Sequence, residues 1–414
     1  MRLLHTSDWH LGQTFYQHQR QYEHGCFLDW LGQQIAAKQP DALIVAGDIF
    51  DTVNPPISAQ RMLYQFLALT HRRHPQLTMI LIAGNHDSGG RIELPAPLLD
   101  AMNTVVVGRV GWQDDDQLDV EHLLIPVKNQ QAEVLGWCLA LPYLRPAEVT
   151  AGGTGLDTMA AIADVHQRLI AAATAKQHGQ QPLVLISHAH MQGASTSPDS
   201  ERNIVIGNAE ALSTQLFSSA VDYVALGHLH KPQQVGEARI RYSGSPIPLS
   251  FSERHYKHQV LCVDVLAGQP VQIEPLLIPR AVPMLRVPSS GDADLPEVLS
   301  QLSALDLPVV EFADARPWLE VVVTLDGPPP PDLRQQIEGR LDLARVRLVR
   351  LRHQQAHRPS SQTDQAASTV MPDALPQPQQ LFEQVWQQLY GELDPAVMAD
   401  FGLLMQMADA EIDE

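Results

Sequence analysis

Five short stretches of the chain carry acids, amides and imidazoles beside one another: Ser7-Asp8-Trp9-His10, Gly47-Asp48-Ile49-Phe50-Asp51, Gly84-Asn85-His86-Asp87, His188-Ala189-His190 and Gly227-His228-Leu229-His230. In an extended segment alternate side chains point the same way, so each D-x-H or H-x-H pair can aim two ligand atoms at one centre. Carboxylate, amide oxygen and imidazole without thiolate suit Mn²⁺, Fe²⁺ or Zn²⁺ better than copper or an iron–sulfur centre. The ligands are too many for one ion. Two ions about 3.5–4 Å apart, sharing one carboxylate, would use them all, and such a pair serves the hydrolysis of phosphate esters. One ion makes hydroxide available at neutral pH, and both offset phosphoryl charge. Asp48 is the natural bridge, with no second ligand immediately beside it. Asn85 would bind without adding negative charge. His86 is then left as a positioned acid for the leaving oxygen, and Asp87 is expected to fix the orientation of that imidazole from behind.

A single pair of this kind would be commonplace, because Asn, Asp and Gly are ordinary turn formers. The elements around the five stretches decide otherwise. RLLHT (2–6), ALIVA (42–46), MILIA (79–83), LVLIS (183–187) and YVAL (223–226) are apolar runs of strand length, and each leads directly into one of the clusters. TVVV (104–107) reads as a further strand, and the segments 27–38 and 59–73 have helical spacing. The pattern is α/β with βαβ units, and in such sheets a ligand site lies at the carboxyl ends of the strands, where all five clusters would meet. RYSGSPIPLSF and HQVLCVDVL look like meandering strands that close this first domain near residue 275.

Composition bounds the rest. A chain of 414 residues implies two or three domains. The net charge of −19 argues against coating nucleic acid through a general positive field, so an anionic substrate would need a local site, a metal or a partner. Cys138 and Cys262 lie in apolar runs, as buried reduced thiols do, and the three cysteines lack zinc-finger spacing. No apolar run is long enough to span a bilayer, and MRLLHTSDWH lacks the apolar stretch of a signal peptide, so a cytoplasmic location is expected.

The motifs D-x-H, G-D-x-x-D, G-N-H-D, a strand-end His and G-H-x-H, in this order, resemble those of the calcineurin-like metallophosphoesterases. HTSDWHLG (5–12), VAGDIFDT (45–52), AGNHDS (83–88), LGHLHKPQ (226–233) and YSGSPIPLSF (242–251) are similar to the branch of bacterial nucleases that work with a coiled-coil ATPase. The resemblance covers residues 1–275 closely and the remainder loosely. It implies a layered α/β/β/α sandwich with a small α/β capping domain and a C-terminal helical hairpin. It assigns Asp8, His10, Asp48 and His230 to one metal and Asp48, Asn85, His188 and His228 to the other, with Mn²⁺ foremost, and makes His86 the transition-state acid. His190 competes with His188, and spacing from Gly193 favours His188. The resemblance further implies DNA cleavage, exonucleolytic on duplex ends and endonucleolytic on single strands and hairpins, within a homodimer whose contacts fall in 58–73 and 91–102. Phosphoprotein phosphatases share the metal core but carry an Arg where this chain has Thr52. Small-molecule phosphodiesterases would lack the long extension, and a scaffold that had lost catalysis would not keep every ligand.

Beyond 275 the expected organisation is a capping domain (276–353), a linker (354–378) and a helical element (379–414). MLRVP (284–288), a helix near 294–304, WLEVVVTL (318–325), a helix from Asp332 and ARVRLVRLRH (344–353) make a small βαβαβ pattern. Arg345, Arg347, Arg350 and Arg352 crowd its last strand, where they either meet DNA phosphate or keep an exposed strand soluble. The alternation slips at Leu348-Val349, so these arginines share a face only across a bulge. The segment 354–378 is polar and aperiodic, a linker composition. After it Leu381, Phe382, Val385, Trp386, Leu389 and Tyr390 form one apolar helical stripe, and Val397, Phe401, Leu404, Met405 and Ala408 a second. These faces either fold back on the chain's own core or hold the ATPase, as the resemblance implies; from 371 to 414 there is no Lys or Arg to meet DNA.

Overall fold

The computed structural model describes residues 1–113, 117–149, 158–197, 201, 211–307, 309–310 and 312–355, with 382–383, 386–387, 395, 397–398 and 400–402 of the tail. They fall into two compact units, Met1–Pro283 and Met284–Glu414. Among the described residues no helix is long and apolar enough to cross a membrane. Of the linker expected at 354–378, Gln354 and Gln355 belong to a strand, and 356–378 lie outside the described residues, as do Leu381, Val385, Leu389, Tyr390, Leu404, Met405 and Ala408 of the two tail stripes.

In the first unit, apart from a short ribbon of Thr14–Phe15 and His18–Gln19, the strands described are β1 (Arg2–Thr6), β2 (Ala42–Ala46), β3 (Thr78–Ile82), β4 (Thr104–Val107), β5 (Leu124–Lys128), β6 (Val134–Leu141), β7 (Leu183–His188), β8 (Tyr223–Gly227), β9 (Gln233–Val235), β10 (Glu237–Tyr242), β11 (Gln259–Asp264) and β12 (Gln272–Leu277). They form two six-stranded sheets, β12-β11-β1-β2-β3-β4 and β9-β10-β8-β7-β6-β5. β1 to β4 run parallel, as do β6, β7, β8 and β10. The two sheets pack face to face: Leu3, Ala42, Ile44, Ala46, Ile80 and Ile82 look inward onto the second sheet. Leu4, Leu43, Val45, Met79 and Leu81, the alternate positions, look outward. That outer face is covered by α1 (Gln21–Lys38) and α2 (Ile57–Arg73) through Phe27, Leu31, Leu63 and Leu67. A third helix, α3 (Thr158–Lys176), lies against β6 of the second sheet. The architecture is an α/β/β/α sandwich, and strands fully buried on both faces are the reason their sequences run continuously apolar. The edge strand β12 carries this unit past the close expected near 275.

The second unit holds a three-stranded parallel sheet in the order β13 (Met284–Val287), β14 (Trp318–Leu325), β15 (Arg347–Gln355), with α4 (Leu295–Ser303) and α5 (Leu333–Glu338) in the crossovers. Leu348 pairs with Leu319 but Arg350 pairs with Glu320, so Val349 is an extra residue, a bulge at the point where the alternation slips. The bulge puts Arg347, Arg350 and Arg352 opposite Trp318, Glu320 and Val322, all on one face. Two of the three are engaged internally. The Arg347 guanidinium lies 3.4 Å from the Trp318 ring centroid and donates to the Asp314 and Arg316 carbonyls. Glu320, buried, faces Arg286 at 3.5 Å and Arg350 at 3.2 Å from the neighbouring strands. A carboxylate removed from water needs such partners. Replacing it with an amide leaves two guanidinium groups facing each other. Glu320→Gln is expected to lower stability by about 1–3 kcal/mol, whereas Arg352→Gln at an exposed position should change it by less than about 0.5 kcal/mol. Chemical denaturation of both variants checks this, and equal midpoints would mean the triad contributes nothing.

Candidate metal centre

The five clusters meet at the carboxyl ends of β1, β2, β3, β7 and β8. Asp8, His10, Asp48, His188, His228 and His230 are all buried. Their ligand atoms gather into the trios Asp8–His10–His230 and Asp48–His188–His228, and Asp48 also joins His10 and His86. Asp48 thus stands between the two ends of the cluster. Asn85 Oδ1 lies 2.9 Å from His188 Nε2 and 3.2 Å from His228 Nδ1, inside the second trio. His190 stays outside both; its ring is 6.0 Å from that of His228.

The loops that hold these side chains are strained. Asp8 (φ 53°), His10 (φ 45°), Asp48 (φ 47°) and His228 (φ 107°) all have left-handed backbone, which side-chain-bearing residues rarely adopt. The strain is held by a ladder between the first two loops, in which Asp8, His10 and Leu11 donate backbone N–H to Gly47, Asp48 and Ile49. Trp9 points the other way from its neighbours, into the helix layer. It is fully buried edge-on against Phe27 and Phe66, with its Nε1–H on Thr6 Oγ1 at 3.0 Å. Gly47 and Gly84 are required by space: a Cβ on the first would strike the His188 ring, and on the second the Asp48 carboxylate.

Asp87 has a different place from the one expected. Its carboxylate accepts backbone N–H groups from Ile49 (3.0 Å), Phe50 (2.9 Å) and Gly84 (2.9 Å). The ring of His86 is held by the Asp51 carbonyl, 2.7 Å from its Nδ1. The expectation that Asp87 orients the His86 imidazole is therefore corrected: Asp87 staples the Gly47–Asp51 loop to the Gly84–Asp87 loop, because the turn folds its carboxylate back under the backbone. Burial, and next the charge of Asp48, push its carboxyl up to about 6. Asp51, at the end of its motif, also reaches the cluster, with Oδ1 3.3 Å from His10 Nδ1.

The electrostatics fit a cation. His188 Nδ1 is 2.9 Å from the Ala46 carbonyl and so donates to it, which turns the Nε2 lone pair toward Asn85 Oδ1 and toward Asp48 Oδ2 at 3.4 Å. These groups are all acceptors, and only a proton or a metal reconciles them. Burial disfavours charge on His188, but the Asp48 carboxylate outweighs it and raises the imidazole to about 9. Burial likewise opposes charge on Asp48, and His188 with His10 outweighs that and holds it well below the usual carboxylate range. Burial and the neighbouring His188 keep His228 well below its ordinary value, ready to bind as the neutral ring. His10 Nε2, buried, lacks a hydrogen-bond partner, as a ligand nitrogen would, while Asp51 stands 3.3 Å from the other ring nitrogen.

Four polar residues near the cluster escaped sequence reasoning. From the end of β6, Tyr143 sets its ring edge-on to His188 at 6.4 Å, and Arg145 donates to the Asp87 carbonyl at 2.8 Å. The apolar run VLGWCLAL ahead of them was the available signal. Glu201 and Glu253 contact His230 from distant loops, and nothing in their spacing announces it.

A layered α/β sandwich with imidazoles and carboxylates at its strand ends defines a metallophosphoesterase. Residues 1–232 match the family model of calcineurin-like phosphoesterases, and 280–390 match that of the type 5 capsule protein repressor C-terminal domain. The chain is 37% identical over 382 residues to the SbcD subunit of the nuclease SbcCD from Rhodobacter capsulatus, covering 91% of this chain and 93% of that protein. The SbcD subunit from Escherichia coli K12 is 35% identical over 79% of this chain and 78% of its own, and that from Bacillus subtilis 31% over 78% and 79%. The chain belongs to the calcineurin-like phosphoesterases and, within them, to the SbcD nuclease family. It is a metal-dependent nuclease, a hydrolase of phosphodiester bonds that binds divalent metal.

Asp87→Ala leaves three buried N–H donors unmatched, each worth about 1–3 kcal/mol. It is expected to lower the melting temperature and the metal content together, read by calorimetry and elemental analysis. Loss of cleavage with both of these intact would assign Asp87 to the chemistry instead.

Proposed function

We propose that the centre holds two Mn²⁺ ions and cleaves DNA, as an exonuclease at duplex ends and an endonuclease at single strands and hairpins. One observation carries the reading: the trios Asp8–His10–His230 and Asp48–His188–His228 lie side by side, joined because Asp48 also gathers with His10, a member of the first. Asp8, His10, Asp48 and His230 would hold one ion, and Asp48, Asn85, His188 and His228 the other. When bound, the pair supplies Lewis acidity toward the phosphoryl oxygens and a nucleophile at neutral pH. The chain's own part is placement. Asp8 and Asp48 are aimed by backbone N–H groups of His228 and His86, at 2.9 and 2.8 Å. With Nδ1 held by the Asp51 carbonyl, His86 presents Nε2 as the group that contacts the phosphate and protonates the leaving oxygen.

Because His86 also lies within reach of His10 and Asp48, metal content separates acid from ligand. His86→Ala should keep its full Mn²⁺ content and lose about 10²–10⁴-fold in cleavage of plasmid and hairpin DNA. Asp48→Ala should lose metal and cleavage together. A missing ion in the first variant, or full metal content in the second, would overturn the assignments.

The same reading places the protein in the cytoplasm, as a homodimer in a heterotetramer with an SbcC-like ATPase; that the relatives are named as one subunit of a nuclease SbcCD supports the partner. Leu94 and Leu98 are 77 and 73% exposed within 91–102, a region expected to meet a second copy, and Ile57, just ahead of the other, is 74% exposed. In the tail the Phe382 and Phe401 rings stack at 4.0 Å, with Trp386 5.8 Å from Phe382, so the two helical segments meet through aromatics. An aromatic cluster of this kind suits helix-in-groove binding to a coiled coil. Trp386→Ala is expected to weaken binding of the ATPase by about 2 kcal/mol or more, roughly 30-fold, and to leave Mn²⁺ content unchanged. Pull-down with wild-type yield from that variant would return the tail to the chain's own core.

A further inference from the structure

We propose that Glu253 is a positioning residue of the metal centre, fixing the tautomer and basicity of His230 and so the strength of one of the two metal positions. Glu253 is fully buried at the end of the short turn Phe251–Glu253. Its Oε1 lies 2.9 Å from His230 Nδ1, and its Oε2 accepts the Leu249 N–H at 2.7 Å. Both carboxylate oxygens are thereby aimed by geometry. Phe251, buried beside it, packs on Phe15 at 5.4 Å and fixes the turn. His230 is gripped a second time through its backbone N–H, which donates to Glu201 Oε1 at 2.7 Å, while Glu201 Oε2 takes the Ser197 N–H.

A proton on Nδ1, donated to Glu253, makes Nε2 the lone-pair nitrogen that serves the Asp8–His10–His230 trio. A carboxylate behind a ligand imidazole fixes its orientation and raises its basicity, and removing such a partner typically weakens metal binding by about 10–100-fold. The other position is built differently. His188 Nδ1 rests on the Ala46 carbonyl, a neutral acceptor, and Asn85 adds no charge. Glu253 therefore acts on one metal position and leaves the other untouched. This inference rests on the ligand reading of Asp8, His10 and His230.

The test is Mn²⁺ titration of the full chain, wild type and variants, followed by calorimetry and by the resonance of unbound Mn²⁺. Glu253→Ala is expected to weaken one of two binding steps by about 10–100-fold and leave the other at its wild-type value. Glu253→Gln, which keeps the volume and one acceptor oxygen, should fall between. In the wild type, ¹⁵N–¹H correlation of the His230 ring should show the proton on Nδ1. Wild-type titrations from both variants, parallel loss of both steps, or a ring protonated on Nε2 with Nδ1 bare would each overturn the proposal. The ring measurement decides it even if Glu253→Ala does not fold. Failure of the ligand reading looks different: His230→Ala would then retain both binding steps.

Discussion

Burying the Asp48 carboxylate is the constraint from which the catalytic unit follows. At 1% exposure it has little water to stabilise its charge, and desolvation alone would drive it to the protonated form. Histidines from four other strand ends surround it, and His188 answers it with the imidazole held at about 9. Such an arrangement conserves charge in a dry place only if a cation, proton or metal, sits among the acceptors. Every ring and carboxylate must then be placed to tenths of an ångström, which is what the parallel strands provide.

The cost of that placement is visible in the backbone. Left-handed conformations at Asp8, His10, Asp48 and His228 would not persist in isolated loops, since each costs on the order of 1–3 kcal/mol. They persist because neighbouring loops over-determine them, through the ladder from Asp8, His10 and Leu11, the three N–H groups gathered by Asp87, and the anchoring of Trp9 between Phe27 and Phe66. Asp87, though it neighbours His86 in sequence, serves this scaffold. Its removal would loosen two loops at once.

The smaller unit solves a related problem with different residues. Glu320, as buried as Asp48, is met by guanidinium groups instead of imidazoles, from the strands on either side. Guanidinium stays charged at every accessible pH and does not give way to a metal, so the triad is a fixed structural device, while the imidazoles of the centre can exchange a proton for an ion. The bulge at Val349 brings Arg350 to Glu320; without it the arginine would stand on the other face.

The sequence by itself determined the strands that carry the ligands, their βαβ arrangement and most of the centre, while β5 and β6 emerged only from the fold. Apolar runs of five or six residues have one way to be buried on both faces, and ligand pairs written directly after them fall at the carboxyl edge wherever the sheet lies. Local patterns carry that information because strand and ligand are adjacent in the chain; hence Asp8, His10, Asp48, Asn85, His228 and His230 were legible, and the bulge at Leu348-Val349 with them. Spacing from Gly193 favours His188 over His190, and the reason lies in the tertiary structure, where β7 sends the His188 ring inward past the Ala46 carbonyl. The tertiary structure alone turned Asp87 away from His86 and brought Tyr143, Arg145, Glu201 and Glu253 to the site. Each of those contacts joins segments far apart in sequence through a hydrogen bond or two or a ring edge, and no periodicity or spacing records which loop a carboxylate will meet once the sheets have packed.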